Sequence, residues 1–140
     1  MKSFILVIVL FILTSTGFSQ DKPVRTGVHS FTIQWIGYNN GKPGTVTIKA
    51  IGNGVYSIEG EQRNKKSNEY VTIKGTFKPV GRELLFNGKI VSKVELTNNG
   101  QPCTLDGAAV FKASGARKYW RLQQMVNCDG ETTDYIDIFF

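Results

Sequence analysis

Most catalytic and metal sites are built from residues that this chain of 140 residues has in very small supply. It contains one histidine, His29, and two cysteines, which do not form a C-x-x-C motif. A single histidine excludes a multi-His metal site, and its place at the edge of a predicted strand favours an ordinary structural role. A nucleophile elbow and a phosphate-binding glycine loop are also missing from the sequence. We therefore expect a protein that is not an enzyme, with no catalytic residues, no metal site and no cofactor.

Long hydrophobic runs are equally scarce, since only Phe4 to Leu13 forms one. Lys2 precedes this run and small residues follow it, which is the pattern of a secretory signal peptide. A membrane anchor is the alternative, but a helix needs about 20 apolar residues to cross a bilayer. The sequence therefore predicts a signal peptide at 1–19, cleaved before Gln20, and a single domain at 20–140. The mature protein is expected in the periplasm or secreted.

Helical periodicity is almost absent beyond residue 19, and turn signals take its place. Asn40-Gly41, Asn53-Gly54, Asn99-Gly100 and Asp129-Gly130 are dipeptides that tolerate the positive φ angles of tight turns. Segments rich in Val, Ile, Thr and aromatic residues lie between them. We predict strands near 29–36, 45–51, 54–61, 69–78, 83–88, 89–97, 102–112, 118–127 and 132–140, with the two segments around Gly88 able to form one bent strand.

Apolar and polar residues alternate along these segments, as in Val71-Thr72-Ile73-Lys74. Such alternation is typical of an antiparallel sheet with one face buried. Four apolar-x-Gly repeats place Gly60, Gly75, Gly88 and Gly107 on the buried face. Because glycine allows sharp coiling of strands, these positions favour an all-β, up-and-down, closed barrel of eight strands over a β-sandwich.

The two cysteines, Cys103 and Cys128, are predicted to form a disulfide, as expected in an exported protein. If they lie opposite each other in an antiparallel hairpin, the paired residue numbers sum to 231. That register places Phe111 opposite Trp120 and keeps the apolar residues on one face.

Few polar residues have inward parity, and those that do are candidate ligand contacts. If the barrel is hollow, His29, Ser92 and Gln124 would orient a mostly apolar ligand beside Trp35 and Trp120. The resulting hypothesis is a carrier for a small apolar or amphipathic ligand.

Basic residues outnumber acidic ones, giving a formal net charge of +6. This favours an anionic partner such as a polysaccharide, lipid headgroups or an acidic protein, and export argues against nucleic acid. Arg63, Lys65 and Lys66 form a basic cluster between two strands, and Tyr119 and Arg121 project from one strand face. These five residues are the candidates for the second hypothesis, a surface interaction or inhibitor module.

The predicted assembly resembles calycin-type barrels such as lipocalins and avidins, which are small, exported and meandering. That resemblance implies ligand binding inside the barrel. The Gly-x-Trp signature of the first lipocalin strand is absent, because Trp35 follows Ile33-Gln34, so no binding residue is transferred. A small outer-membrane β-barrel is a further alternative, although short apolar stretches and an inward disulfide argue against stable membrane insertion.

Overall fold

The computed structural model describes residues 23–37 and 42–140, which form a closed antiparallel barrel of eight strands. Each strand pairs with the next along the chain, and the last pairs with the first. The predicted all-β closed barrel is confirmed, and Asn40-Gly41 lies outside the described residues. The strands are β1 (Gly27–Ile33), β2 (Gly44–Gly52), β3 (Val55–Asn64), β4 (Glu69–Val80), β5 (Glu83–Lys93), β6 (Cys103–Lys112), β7 (Tyr119–Leu122) and β8 (Ile136–Phe139).

Tight turns form where the sequence predicts them. In the turn between β2 and β3, Asn53 has φ 55° and Gly54 has φ 72°. Both angles lie in the left-handed region, and two such residues in succession suit a two-residue hairpin turn. A short 3-10 turn, Asn98–Gly100, lies between β5 and β6.

Glycines line up across three neighbouring strands at the centre of the sheet. Gly75 of β4 pairs with Gly88 of β5, and Gly88 pairs with Gly107 of β6. A Cβ atom on Gly75 would collide with the carbonyl oxygen of Asn87, and one on Gly88 with that of Lys74. Only glycine permits the backbones of β4 and β5 to approach this closely. β5 continues through Gly88, so the two segments predicted around Gly88 form one strand.

Apolar side chains point into the barrel and charged side chains point out. Phe31 and Phe111 are completely buried, and Phe86 packs edge-on against Phe111 with ring centroids 5.9 Å apart. The outward positions carry ion pairs such as Lys74 with Glu59. This orientation is the reverse of the one that a lipid-facing barrel needs. In the described part of the chain, no helix is long and apolar enough to span a membrane.

The up-and-down topology sorts the connections between two ends of the barrel. At the first, here called the Phe140 end, lie residues 23–26 ahead of β1, the turns at Asn53 and Gly81, the β6–β7 loop and Phe140. The second, here called the disulfide end, carries the β3–β4 turn, the β5–β6 loop and the long loop 123–135.

The predicted disulfide between Cys103 and Cys128 is confirmed, with Cα atoms 5.6 Å apart. The predicted register is wrong by two residues, because Phe111 pairs with Leu122 and not with Trp120. The β6–β7 ladder ends at Leu122, and β7 is therefore much shorter than predicted. The cystine then fastens loop 123–135 to the start of β6.

Side-chain hydrogen bonding explains why the ladder ends early. Gln123 N donates to Val110 O at 2.8 Å, and Gln124 Oε1 accepts from Val110 N at 3.0 Å. The amide of Gln124 thus replaces the backbone carbonyl that a continuing strand would supply. Beyond it, Asn127 N bonds to Thr132 O, so the loop folds on itself and shortens the predicted last strand as well.

Candidate ligand-binding cavity

The centre of the barrel is filled by side chains, so its candidate binding spaces lie at the two ends. Phe77 and Phe86 are almost completely buried and, with Phe111, occupy the interior. Trp35 and Trp120 are only partly buried and pack against this core from opposite ends. A ligand at an end would contact the core without displacing it.

A cavity of about 330 Å³ opens at the Phe140 end. Six parts of the chain build it: residues 23–25, His29 of β1, the region of the β4–β5 turn, Ala113 after β6, Trp120 of β7 and Phe140. Its apolar lining includes Val24, Leu84, Ala113, Trp120 and Phe140. A pocket of a few hundred Å³ with mostly apolar walls and a few polar groups is typical of small-molecule sites.

Two arginines give this apolar cavity a positive rim. Arg82 donates from Nε to Ala113 O at 2.7 Å and from Nη2 to Gly115 O at 2.8 Å. Arg25 donates from Nη1 and Nη2 to Val28 O at 3.3 and 3.2 Å. Within the described ranges, neither guanidinium forms an ion pair with a carboxylate. Arg25 Nη2 also lies 3.2 Å from His29 Nδ1. Both guanidiniums are therefore held by groups other than carboxylates, and their charges stay available to an anion.

His29 ties the walls of the cavity together. The side chain is buried, with Nε2 2.7 Å from Arg25 O and Nδ1 2.6 Å from Phe139 O. The first contact holds the segment before β1, and the second holds the end of β8. His29 is thus a structural residue at the strand edge that also lines the cavity.

Trp120 forms an aromatic wall beside His29. Its ring centroid lies 6.5 Å from that of His29 and 4.4 Å from that of Phe140, at tilted angles. Tilted aromatic groups present both faces and edges to the space between them, which suits an apolar or aromatic body. Two of the five predicted ligand contacts, His29 and Trp120, therefore meet in one cavity.

The other predicted ligand contacts lie at the disulfide end. Ser92 and Gln124 line a smaller cavity of about 130 Å³ beside the cystine. Trp35 donates from Nε1 to Asp134 Oδ1 at 2.9 Å and lines neither cavity. The structure thus divides the predicted set between the two ends of the barrel.

A larger groove, of about 510 Å³, lies on the outer face of β2, β3 and β4. Most of its lining residues are polar or charged types and include Lys49, Glu59 and Lys74, of which Glu59 and Lys74 pair with each other at 3.4 Å. The cavity at the Phe140 end is walled by six parts of the chain and is mostly apolar. We therefore regard the end cavity as the better candidate site.

The predicted basic cluster occupies the β3–β4 hairpin at the disulfide end. Arg63 pairs with Glu61 at 3.0 Å and lies over the ring of Tyr70 at 4.7 Å. Lys65 and Lys66 are exposed at the tip of the turn. The cluster is far from the candidate cavity.

Tyr119 and Arg121 are held by contacts within the barrel. Arg121 binds Asp137 through two hydrogen bonds of 2.8 Å, and this bonding raises the pKa of Arg121 above its usual value. The guanidinium also lies over Tyr135, 4.1 Å from the ring centroid, while Tyr119 packs against Phe139. Because Asp137 is buried, this pair acts first as part of the β7–β8 packing.

Arg25 and Arg82 were not among the residues that the sequence singled out. Arg25 precedes the first strand and Arg82 lies in the turn after β4, so nothing in their spacing links them. The available signal was topological, because an up-and-down barrel places both of these connections at the same end. Charged residues in connections that share one end are therefore candidates for a common site.

The fold and the site define a small disulfide-bonded β-barrel with an apolar, positively rimmed cavity at one end. Residues 19–140 match the PM1083 family, and the chain belongs to that family. An uncharacterized protein of Pasteurella multocida (strain Pm70), PM1083, is 41% identical over 115 residues, which cover 81% of this chain and 72% of that relative. No solved structure matches the chain.

Proposed function

We propose that the protein is an exported, non-enzymatic binding protein that holds a small amphipathic anion in the cavity at the Phe140 end. The apolar part of the ligand packs against Leu84, Trp120 and Phe140, and its anionic group faces Arg25 and Arg82. The observation that carries this proposal is the pairing of an apolar cavity of about 330 Å³ with two guanidiniums at its rim.

Export is supported by the disulfide together with the N-terminal sequence. A disulfide indicates an oxidising compartment outside the cytoplasm. The predicted signal peptide supplies a route to such a compartment.

A surface interaction module is the weaker alternative. Arg121 is engaged by Asp137, and Arg63 by Glu61 and Tyr70, so both side chains already have partners in the fold. The cavity arginines, in contrast, have no carboxylate partner among the described residues.

A pair of fluorescent probes tests the proposed function. Anilinonaphthalene sulfonate carries an anionic group, and N-phenylnaphthylamine has nearly the same apolar body without it. We expect the wild-type protein to bind both probes. Changing Arg25→Gln together with Arg82→Gln should weaken sulfonate binding by about tenfold while the neutral probe is retained, because a charge-assisted contact is lost.

The double variant Arg117→Gln/Lys118→Gln is the matched control, because it removes the same charge from the same end outside the cavity lining. This control should bind both probes as the wild type does. The proposal fails if neither probe binds the wild-type protein, or if the two double variants weaken sulfonate binding equally. If the proposal holds, native mass spectrometry of protein purified from its own host identifies the molecule that the cavity retains.

A further inference from the structure

Exposed apolar side chains are concentrated at the Phe140 end. Eight large hydrophobic residues of the described chain are exposed, and five of them lie at or near this end. Scattered exposed apolar residues are normal, so these five indicate an interaction site only together with the charged residues around them. The five are Val28 (60% exposed), Ile51 (55%), Val80 (47%), Leu85 (44%) and Phe140 (47%).

Seven of the fifteen basic residues in the described ranges lie at the same end, and few acidic residues accompany them. Near this end, Lys112 pairs with Glu83 at 3.9 Å and Arg121 pairs with Asp137 at 2.8 Å, so both of these acidic residues are already in ion pairs. Six other basic residues lie around this end of the barrel, here called its rim: Arg25, Lys49, Lys78, Arg82, Arg117 and Lys118. At the disulfide end, basic residues such as Lys65 and Lys66 are balanced by Glu69, Glu95, Asp129 and Glu131.

Two neighbouring hairpins combine these features at their tips. Lys49 and Ile51 lie at the end of β2, and Lys78 and Val80 repeat this spacing at the end of β4. All four side chains are exposed. The tips are adjacent because β3 pairs with β4, and Tyr56 stacks on Phe77 below them at 5.3 Å. The two hairpin tips therefore expose Ile51 and Val80, each close to a lysine, above the stacked rings of Tyr56 and Phe77.

We propose that the Phe140 end docks on a negatively charged lipid surface, with Ile51 and Val80 entering the headgroup layer and the rim lysines and arginines contacting lipid phosphates. Apolar groups beside basic residues are the usual combination for binding at a membrane interface. Ile51 and Val80 lie on separate hairpins, each two residues from an exposed lysine, and so do not form one continuous patch. A fluid lipid layer can adapt to a discontinuous apolar surface of this kind, whereas a folded partner protein needs a continuous complementary patch.

Docking in this orientation turns the mouth of the cavity toward the lipid. An amphipathic anion could then pass between the lipid layer and the cavity without crossing open water. The docking proposal is tested separately from the proposed function, because the side chains of Lys49, Ile51, Lys78 and Val80 do not line the cavity, although Pro79 and Gly81 beside Val80 do.

Vesicle binding with matched variants tests the docking proposal. The exported protein is mixed with vesicles of phosphatidylcholine alone or with phosphatidylglycerol added, and the bound fraction is measured by flotation. We expect binding to the anionic vesicles only, and we expect it to weaken as salt concentration rises. Ile51→Asn together with Val80→Asn should weaken this binding by about tenfold or more, because two apolar contacts with lipid are lost.

Leu96→Asn together with Val126→Asn is the control, since both residues are exposed at the disulfide end (80% and 70%). A second pair compares Lys49→Gln/Lys78→Gln with Lys65→Gln/Lys66→Gln. In both comparisons only the variant at the Phe140 end should lose binding. Equal binding within each pair, equal binding to both kinds of vesicle, or no binding by the wild type would overturn the proposal. Binding of N-phenylnaphthylamine reports separately on the cavity and on correct folding of each variant.

Discussion

At the scale of single residues, one exposed carboxylate organises much of the disulfide end. Asp129 accepts hydrogen bonds from Glu131 N at 2.9 Å and from Thr132 N at 2.8 Å, and also from the hydroxyl of Thr132. A bond from Asn98 N links it to the β5–β6 loop. These donors lower the pKa of Asp129 far below its usual value, the Thr132 hydroxyl having the largest effect.

This shift predicts a pH-dependent contribution to stability. A carboxylate with a lowered pKa in the folded state stabilises the fold above its unfolded pKa of about 3.9, and the effect is lost as the pH falls toward the folded value. Asp129→Ala should therefore lower the melting temperature at neutral pH, with a smaller difference from wild type at about pH 2. Calorimetry at several pH values measures both differences. A difference that is the same at every pH would contradict the assignment.

Residue parity was predictable from the sequence, but the side-chain partners were not. Alternation placed His29 and Trp120 on the inner face, where the structure has them. It did not show that the amide of Gln124 would replace a strand carbonyl, nor that Asp137 would bind Arg121. Such bonds depend on which chain segments meet in space, and alternation within one strand does not contain that information.

At the scale of the strands, the glycine row decides how the sheet bends. Gly75 and Gly88 bring their backbones so close that a methyl group on either would meet a carbonyl oxygen. Gly107 extends the row to β6 with φ 115°, a conformation that glycine accepts readily. These glycine positions could be predicted from the apolar-x-Gly repeat because each repeat lies within a single strand.

Substitution in this row should be costly. Gly88→Ala forces β4 and β5 apart, and overpacking of this kind lowers the free energy of unfolding by about 2 kcal/mol or more. Asn87→Ala, one residue away on the exposed face, should change it by less than about 0.5 kcal/mol. Urea unfolding of both variants makes the comparison. Equal effects would show that the close approach of β4 and β5 is not required for stability.

The register between β6 and β7 could not be predicted from the pattern of single strands. Both cysteines and the inner face were assigned correctly, but the β6–β7 pairing is displaced by two residues. A shift of two keeps every side chain on its own face, so the hydrophobic pattern cannot detect it. The hydrogen bonds of Gln123 and Gln124 set the register.

At the scale of the whole molecule, the two ends of the barrel differ in construction. At the disulfide end, the cystine fastens loop 123–135 to the start of β6. The Phe140 end carries the candidate cavity, the exposed apolar tips and seven of the fifteen basic residues in the described ranges. The basic residues look scattered along the sequence because alternate turns are far apart in the chain but lie together in the barrel.

This division predicts that the disulfide matters for stability and not for binding. Cys103→Ser with Cys128→Ser opens a loop of sequence separation 25, which should cost about 3 kcal/mol in the chain-entropy description. Binding of N-phenylnaphthylamine should be unchanged at temperatures where the variant remains folded. Thermal unfolding and probe titration measure the two quantities. Loss of probe binding by the folded variant would show that the two ends are coupled.

The position of Pro23 has a consequence for how the protein is prepared for measurement. Pro23 and Val24 form part of the cavity wall. The predicted cut before Gln20 lies three residues ahead of Pro23 in the sequence. We therefore expect protein that keeps the predicted leader to differ from the exported form in binding of N-phenylnaphthylamine, and titration of both forms measures the difference.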